Sequence, residues 1–146
     1  MNKFVGIDFD NTLVHVDKEN NFELMPQVNE YLPRIYNLGF KLCLITGRKD
    51  YDRQFVENVI NQIELLLNVK FEKIILTNDS QTKGNFAIDN NCSFMIDDKH
   101  SYLSDCVKNN VVPIYLNEKN KFIKSKKETV VYSWRQVYDY LKKMAS

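Results

Sequence analysis

Short apolar runs alternate with segments of helical periodicity along the whole chain. Phe4 to Ile7 forms a compact run closed by Asp8, and Phe40–Ile45, Phe71–Leu76, Ser93–Ile96 and Val111–Leu116 repeat the pattern. Such near-continuous runs predict strands covered on both faces. Between them, Val28, Tyr31, Leu32, Ile35 and Leu38 fall on one helical face, with Gly39 placed as a stop. Pro33 either kinks that helix or begins it. Phe55, Val59, Ile60, Ile63, Leu66 and Leu67 mark a second helix, opened by Asp50 or Asp52. Leu103, Cys106 and Val107 predict a short one. Trp134, Val137, Tyr138 and Leu141 mark the last, with Ser133 and Gln136 spaced as a capping box. Thr12 to Met25 is polar and irregular, which reads as a loop or a small hairpin.

Strands that alternate with helices pair in parallel through right-handed crossovers. The pattern therefore predicts an α/β fold: a doubly wound, five-stranded parallel sheet with helices on both faces. It reads as a single domain over residues 1–146, with a flap at about 13–27. In such sheets ligands bind beyond the carboxyl ends of the strands, where the strand order switches. The residues to watch are those just after each strand: Asp8 and Asp10, Thr46, and Asp97 and Asp98.

Composition narrows the picture. The 146 residues are 44% hydrophobic and 27% charged, enough for one well-filled core. Lys plus Arg (20) nearly balances Asp plus Glu (19), which argues against a chain built to coat nucleic acid or an anionic membrane. The three cysteines, Cys43, Cys92 and Cys106, are odd in number, sit among apolar neighbours and form no C-x-x-C pair. They read as reduced core residues of a cytoplasmic protein rather than a zinc site. No stretch has the length of a signal peptide's apolar core or of a membrane span.

The chemistry lies in the acids. Asp8-Phe9-Asp10 follows the first strand and Asp97-Asp98 the fourth. If those ends meet, up to four carboxylates share a small volume, which is unfavourable without a cation. Mg²⁺ suits them, since it takes hard oxygen ligands and completes its shell with water or phosphate.

These motifs resemble those of the haloacid dehalogenase (HAD) superfamily. Phe4 to Leu13 is similar to its first motif, an apolar strand followed by D-x-D-x-T-L, although Asn11 stands where many relatives carry Gly. Leu42 to Arg48 is similar to the second, a strand ending in Thr, here Thr46-Gly47-Arg48. Lys83 resembles the lysine of the third, and Phe94 to Asp98 the fourth, a strand ending in paired acids. Order and spacing agree from residue 4 to about 116. The resemblance implies Asp8 as nucleophile, forming an aspartyl-phosphate, and Asp10 as general acid and then general base. It implies that Thr46 and the Gly47 amide bind the transferring phosphoryl group, and that Lys83 neutralises charge. Mg²⁺ would sit among Asp8, the Asp10 carbonyl, Asp97 and Asp98. Asn11, Thr12 and Arg48 are candidate substrate contacts, with Arg48 able to reach a second anionic group. Lys73 and Lys99 also lie near strand ends and compete with Lys83 for its place.

Only a short insert lies between Leu13 and Val28, and none between Lys83 and Asp97, so no large cap domain is expected. An open site admits large substrates or borrows a lid from a second subunit of an oligomer. The acid pair and the Tyr-Leu segment after it also resemble the small deoxyribonucleotidase-like members. The expected activity is Mg²⁺-dependent hydrolysis of a phosphomonoester, with a nucleotide or another small phosphorylated metabolite as substrate. The alternatives are a phosphatase of nucleic-acid ends or phosphoproteins, and a non-catalytic phosphate- or partner-binding relative. His15 and His100 read as exposed loop residues. The basic run from Lys119 to Lys127 reads as a solvated loop rather than a nucleic-acid track.

Overall fold

The structure, a computed structural model, describes residues 3–123 and 128–145. Six strands form a parallel sheet. They are β1 (Phe4–Ile7), β4 (Lys41–Thr46), β5 (Phe71–Leu76), β6 (Cys92–Asp97), β7 (Val112–Leu116) and β8 (Thr129–Val131). Their order is β5-β4-β1-β6-β7-β8. The remaining two, β2 (Val14–Val16) and β3 (Phe22–Leu24), make an antiparallel hairpin in the expected flap. The helices are α1 (Val28–Asn37), α2 (Arg53–Leu67), α3 (Gly84–Asp89) and α4 (Trp134–Ala145).

Period-2 alternation along the strands sorts the core into two layers. Leu42, Leu44, Phe94 and Ile96 face the layer that α1, α2 and α4 cover with Leu32, Ile35, Ile60, Ile63, Trp134 and Leu141. Cys43, Ile45 and Met95 face the opposite layer, with Ala87 of α3 and with Leu103 and Cys106. At Gly6, in the middle of β1, an added Cβ would stand 2.6 Å from Met95 Sδ, so the second layer closes down on bare backbone there. All three cysteines are free and buried. Among the described residues no helix is long and apolar enough to cross a membrane.

The doubly wound α/β class holds, with one strand more than expected. Thr129–Val131 adds a sixth strand at the edge beside β7. Three residues show too little alternation to stand out from the polar stretch before them. α3 was likewise not expected, because six residues opened by a glycine carry almost no periodicity. The short helix expected around Leu103 is two 3₁₀ turns, His100–Leu103 and Val107–Asn109. Pro33 lies inside α1 and does not begin it. The carbonyl it deprives of a donor is that of Asn29, which is exposed and open to water. Half of the capping box forms: Gln136 N–H donates to Ser133 Oγ at 3.2 Å, while the Gln136 side chain accepts from Tyr132 N–H. The basic run reaches beyond the described residues, since 124–127 lie outside them.

The chain winds outward from β1 through β4 to β5, then crosses back to β6 and proceeds outward the other way. That reversal sets the carboxyl ends of β4 and β6 on either side of the end of β1. The switch point of the sheet is therefore built from Asp8, Thr46 and Asp97.

Candidate active site

Asp8 sits directly after β1, and its N–H donates to the Ile96 carbonyl of β6 at 3.0 Å. One residue further along β6 is Asp97, fully buried. Between the two carboxylates stands Lys83, whose Nζ donates to Asp8 Oδ1 at 2.6 Å and to Asp97 Oδ2 at 2.8 Å. Its side chain is 1% exposed. Thr12 is fully buried too, and its hydroxyl lies 2.9 Å from Asp8 Oδ2 and 3.2 Å from Asp98 Oδ1. One hydroxyl proton serves one of those acceptors at a time. Thr12 thus lies behind the carboxylates, with its side chain closed off from solvent.

Carboxylate oxygens of Asp8, Asp97 and Asp98 lie within 4.8 Å of one another. Three carboxylates against one ammonium leave an excess of negative charge. Burial and the neighbouring Asp8 push the Asp97 carboxyl well above its usual range, against the pull of Lys83. The same two causes push Asp98 up to about 6. Burial alone would lower the Lys83 ammonium, but Asp8 and Asp97 outweigh it and hold it above its ordinary value. Hard oxygen donors at this spacing suit a small divalent cation, which would supply the missing positive charge.

The position of Lys83 is fixed from outside the cluster. Its N–H donates to the Tyr102 carbonyl at 2.9 Å, and the next two N–H groups, of Gly84 and Asn85, donate to Asp105 at 2.7 and 3.0 Å. Asp105 thereby caps α3 from the segment after β6, and a Cβ at residue 84 would collide with its backbone at 2.8 Å. Removing the cap with Asp105→Ala leaves two N–H groups unpaired. The expected cost is about 1–2 kcal/mol of stability, read as a lower urea midpoint. A midpoint equal to that of the parent would contradict the capping role.

A pocket of about 430 Å³ opens over this cluster. Asp8, Asp10, Asn11, Thr46, Gly47, Arg48, Lys83 and Asp98 line it, so of the expected site residues only Thr12 and the buried Asp97 stand back from its surface. Thr46 is 1% exposed at the floor, and a Cβ at Gly47 would meet nothing within 4 Å, so the backbone there faces open space. The loop holding them is pinned to the next one: the N–H groups of Thr77, Asn78 and Asp79 donate to the carbonyls of Thr46, Arg48 and Gly47. Asn11 adopts φ 60°, the left-handed region that favours glycine and that asparagine tolerates. Its Oδ1 lies 3.1 Å from His15 Nδ1 on β2.

Of the competing lysines, Lys73 reaches the Asn90 carbonyl and the Phe4 ring, while Lys99 lines the pocket with its Nζ 5.2 Å from the centre of the Tyr102 ring. His15 and His100 do not line the pocket. Sequence reasoning missed Lys49, Tyr51, Asp52, Asp79 and Tyr102 in the pocket wall, and Asp105 behind it. Only Asp52 carried a signal, lying one helical turn after Arg48.

No family model and no curated protein matches the chain in sequence. Solved structures match its fold. A D,D-heptose 1,7-bisphosphate phosphatase from B. bronchiseptica, complexed with magnesium and phosphate, aligns with a TM-score of 0.72 at 10% identity, over 97% of this chain and 99% of that one. A HAD-superfamily hydrolase from Ehrlichia chaffeensis aligns over 100% of both chains with a TM-score of 0.69 at 12% identity. A 3-deoxy-D-manno-octulosonate 8-phosphate phosphatase from Moraxella catarrhalis, in complex with magnesium, phosphate and KDO, gives 0.60 at 17% identity, over 97% and 86%. This chain shares the fold of these solved structures.

Proposed function

We propose that the protein is a Mg²⁺-dependent phosphomonoester hydrolase of the HAD type, acting on a small phosphorylated metabolite, a nucleotide among the candidates. The observation that carries this reading is the convergence of Asp8, Asp97 and Asp98, with the Lys83 ammonium bonded to the first two. Magnesium and phosphate in two structures of the same fold support it.

Asp8, Asp97, Asp98 and the Asp10 carbonyl would hold Mg²⁺. The ion supplies charge stabilisation for an anionic nucleophile approaching an anionic ester. In the first step a carboxylate oxygen of Asp8 attacks phosphorus. The ester P–O bond breaks, and Asp10 gives its proton to the leaving oxygen. Aspartyl-phosphate and free alcohol result, and Asp10 is left as the carboxylate that the second step needs. In that step Asp10 takes a proton from water, whose oxygen attacks phosphorus. The bond to Asp8 breaks, orthophosphate leaves and Asp10 is again protonated. Throughout, Lys83, the Thr46 hydroxyl and the Gly47 amide steady the phosphoryl oxygens. Asn11 lines the substrate's path, and Thr12 orients Asp8 from behind.

The test is release of orthophosphate from a panel of phosphorylated metabolites and from p-nitrophenyl phosphate. Turnover with Mg²⁺ that stops in EDTA is expected. Metal-independent turnover, or none with any ester, would refute the reading. A second reading, hydrolysis at a nucleic-acid end, is favoured by Tyr51, which is 80% exposed at the pocket wall beside Lys49. It requires oligonucleotide 3′- or 5′-phosphates to outperform mononucleotides in that panel.

The raised carboxyls also predict how Mg²⁺ binding depends on pH. A carboxyl whose folded-state pKa is raised binds more protons folded than unfolded, from its usual range up to that raised value. For Asp98 that window closes at about 6. The metal-free fold therefore loses stability as pH rises through it, and Mg²⁺ regains most where the carboxylates are ionised. The rise in melting temperature on adding Mg²⁺ should be larger at pH 7.5 than at pH 5. An equal rise at both would contradict the assignment of these acids as its ligands.

A further inference from the structure

Arg48 is held on four sides. Its Nε and Nη2 donate to Asp10 Oδ2 and Oδ1, each at 2.9 Å, in a two-pronged pair. Nη1 lies 3.6 Å from Asp52 Oδ2. The guanidinium carbon stands 5.4 Å from the centre of the Phe9 ring and 5.2 Å from that of Phe55. Those two rings meet edge to face at 6.4 Å. The guanidinium is thus bracketed by two aromatic rings and braced by an acid at the start of α2. Asp10, by contrast, is 40% exposed just before a turn, and an unheld side chain there would sample several rotamers.

A half-exposed ion pair of this kind adds little to the stability of a fold. What a fork of two parallel bonds does fix is the plane and direction of the carboxylate. Each oxygen keeps a further lone pair beyond the one facing Arg48, so Asp10 can exchange a proton while it is held. The fork takes the Nε–H and one Nη2–H of Arg48, so a second anion on the substrate would meet only the edge of the guanidinium that faces away from Asp10.

We propose that Arg48 is a positioning residue for the proton-transferring carboxylate of Asp10, kept in place by Phe9, Phe55 and Asp52. The proposal rests on the acid-base reading of Asp10 and adds the device that aims it. A misaimed acid matters most when the departing oxygen is basic. An alkyl alcohol needs its proton as the P–O bond breaks, whereas p-nitrophenolate leaves almost unaided.

The experiment compares kcat and KM of Arg48→Met, Arg48→Lys and Asp52→Asn on p-nitrophenyl phosphate and on an alkyl phosphate such as glycerol phosphate. Asp10→Asn is run alongside. For Arg48→Met, the ratio of aryl to alkyl kcat/KM, which reports the step that breaks the ester bond, should rise about tenfold, short of the 10²–10⁴-fold range of general acid catalysis removed altogether. Arg48→Lys should recover part of the loss, because one ammonium cannot form the fork. Asp52→Asn, a milder change, should raise the ratio in the same direction and covers the case in which Arg48→Met fails to fold. An unchanged ratio in the Arg48 and Asp52 variants would overturn the proposal while Asp10→Asn still discriminates between the esters. An Asp10→Asn enzyme with no such discrimination in kcat/KM would overturn the acid-base reading itself.

Discussion

Asp8→Asn should lower phosphomonoester turnover by about four orders of magnitude or more, the scale seen when a nucleophile is removed. The amide keeps the shape of the carboxylate and loses the charge and lone pair that attack phosphorus. The fold should survive, because Lys83 retains Asp97 at 2.8 Å and the Asp8 backbone still bonds to Ile96. The variant also relieves one of the three crowded carboxylates, so its metal-free melting temperature should not fall. Steady-state assay with Mg²⁺, alongside a thermal melt in EDTA, checks both halves. Activity near that of the parent would remove Asp8 as nucleophile. Loss of activity together with loss of the melting transition would mean that the residue is structural.

Lys83→Met should be the most damaging substitution to stability. The thioether fills most of the volume of the lysine stem, so packing changes little. The charge is what is lost, and Asp8 and Asp97 remain buried with no cation between them. Removing one partner of a buried charge group costs about 3–5 kcal/mol. Because the excess charge sits on carboxyls that burial already pushes up, the cost should shrink as pH falls and they take protons. Mg²⁺ should recover part of it at neutral pH. Urea unfolding at pH 7.5 in EDTA, then with Mg²⁺, then at pH 5, gives the three values. A variant as stable as the parent in EDTA would show that Lys83 is not what holds these carboxylates together.

The sheet and its acidic rim were legible because their signals are local. A strand buried on both faces is an apolar run, and β1, β4 and β6 each carry their Asp or Thr at or just past the end of that run. Parallel order then brings the ends together without knowledge of a single contact. Lys83 was harder: it lies 75 residues from Asp8, and only its position after the third strand and ahead of the fourth separated it from Lys73 and Lys99. The helix that presents it, α3, is six residues long and opened by Gly84, too short for periodicity. Its stability comes from Asp105, across the chain, which no pattern in the sequence marks. Thr129–Val131 escaped for a similar reason, since three residues become a strand only by pairing with β7. The grip of Arg48 on Asp10 was also hidden. Thr46-Gly47-Arg48 suggested a substrate-facing cation, and only the rings of Phe9 and Phe55 show where the guanidinium rests.

The central claim is that Asp8 receives the phosphoryl group while Asp8 and Asp97 hold a divalent ion. Beryllium trifluoride imitates a phosphoryl group on a carboxylate. A crystal structure of the protein grown with Mg²⁺ and beryllium trifluoride is the direct measurement. The account predicts beryllium bonded to a carboxylate oxygen of Asp8, with Mg²⁺ bound by Asp8 and Asp97 and with Lys83 turned toward the fluorides. Beryllium on another residue, or an ion bound away from Asp8 and Asp97, would contradict it.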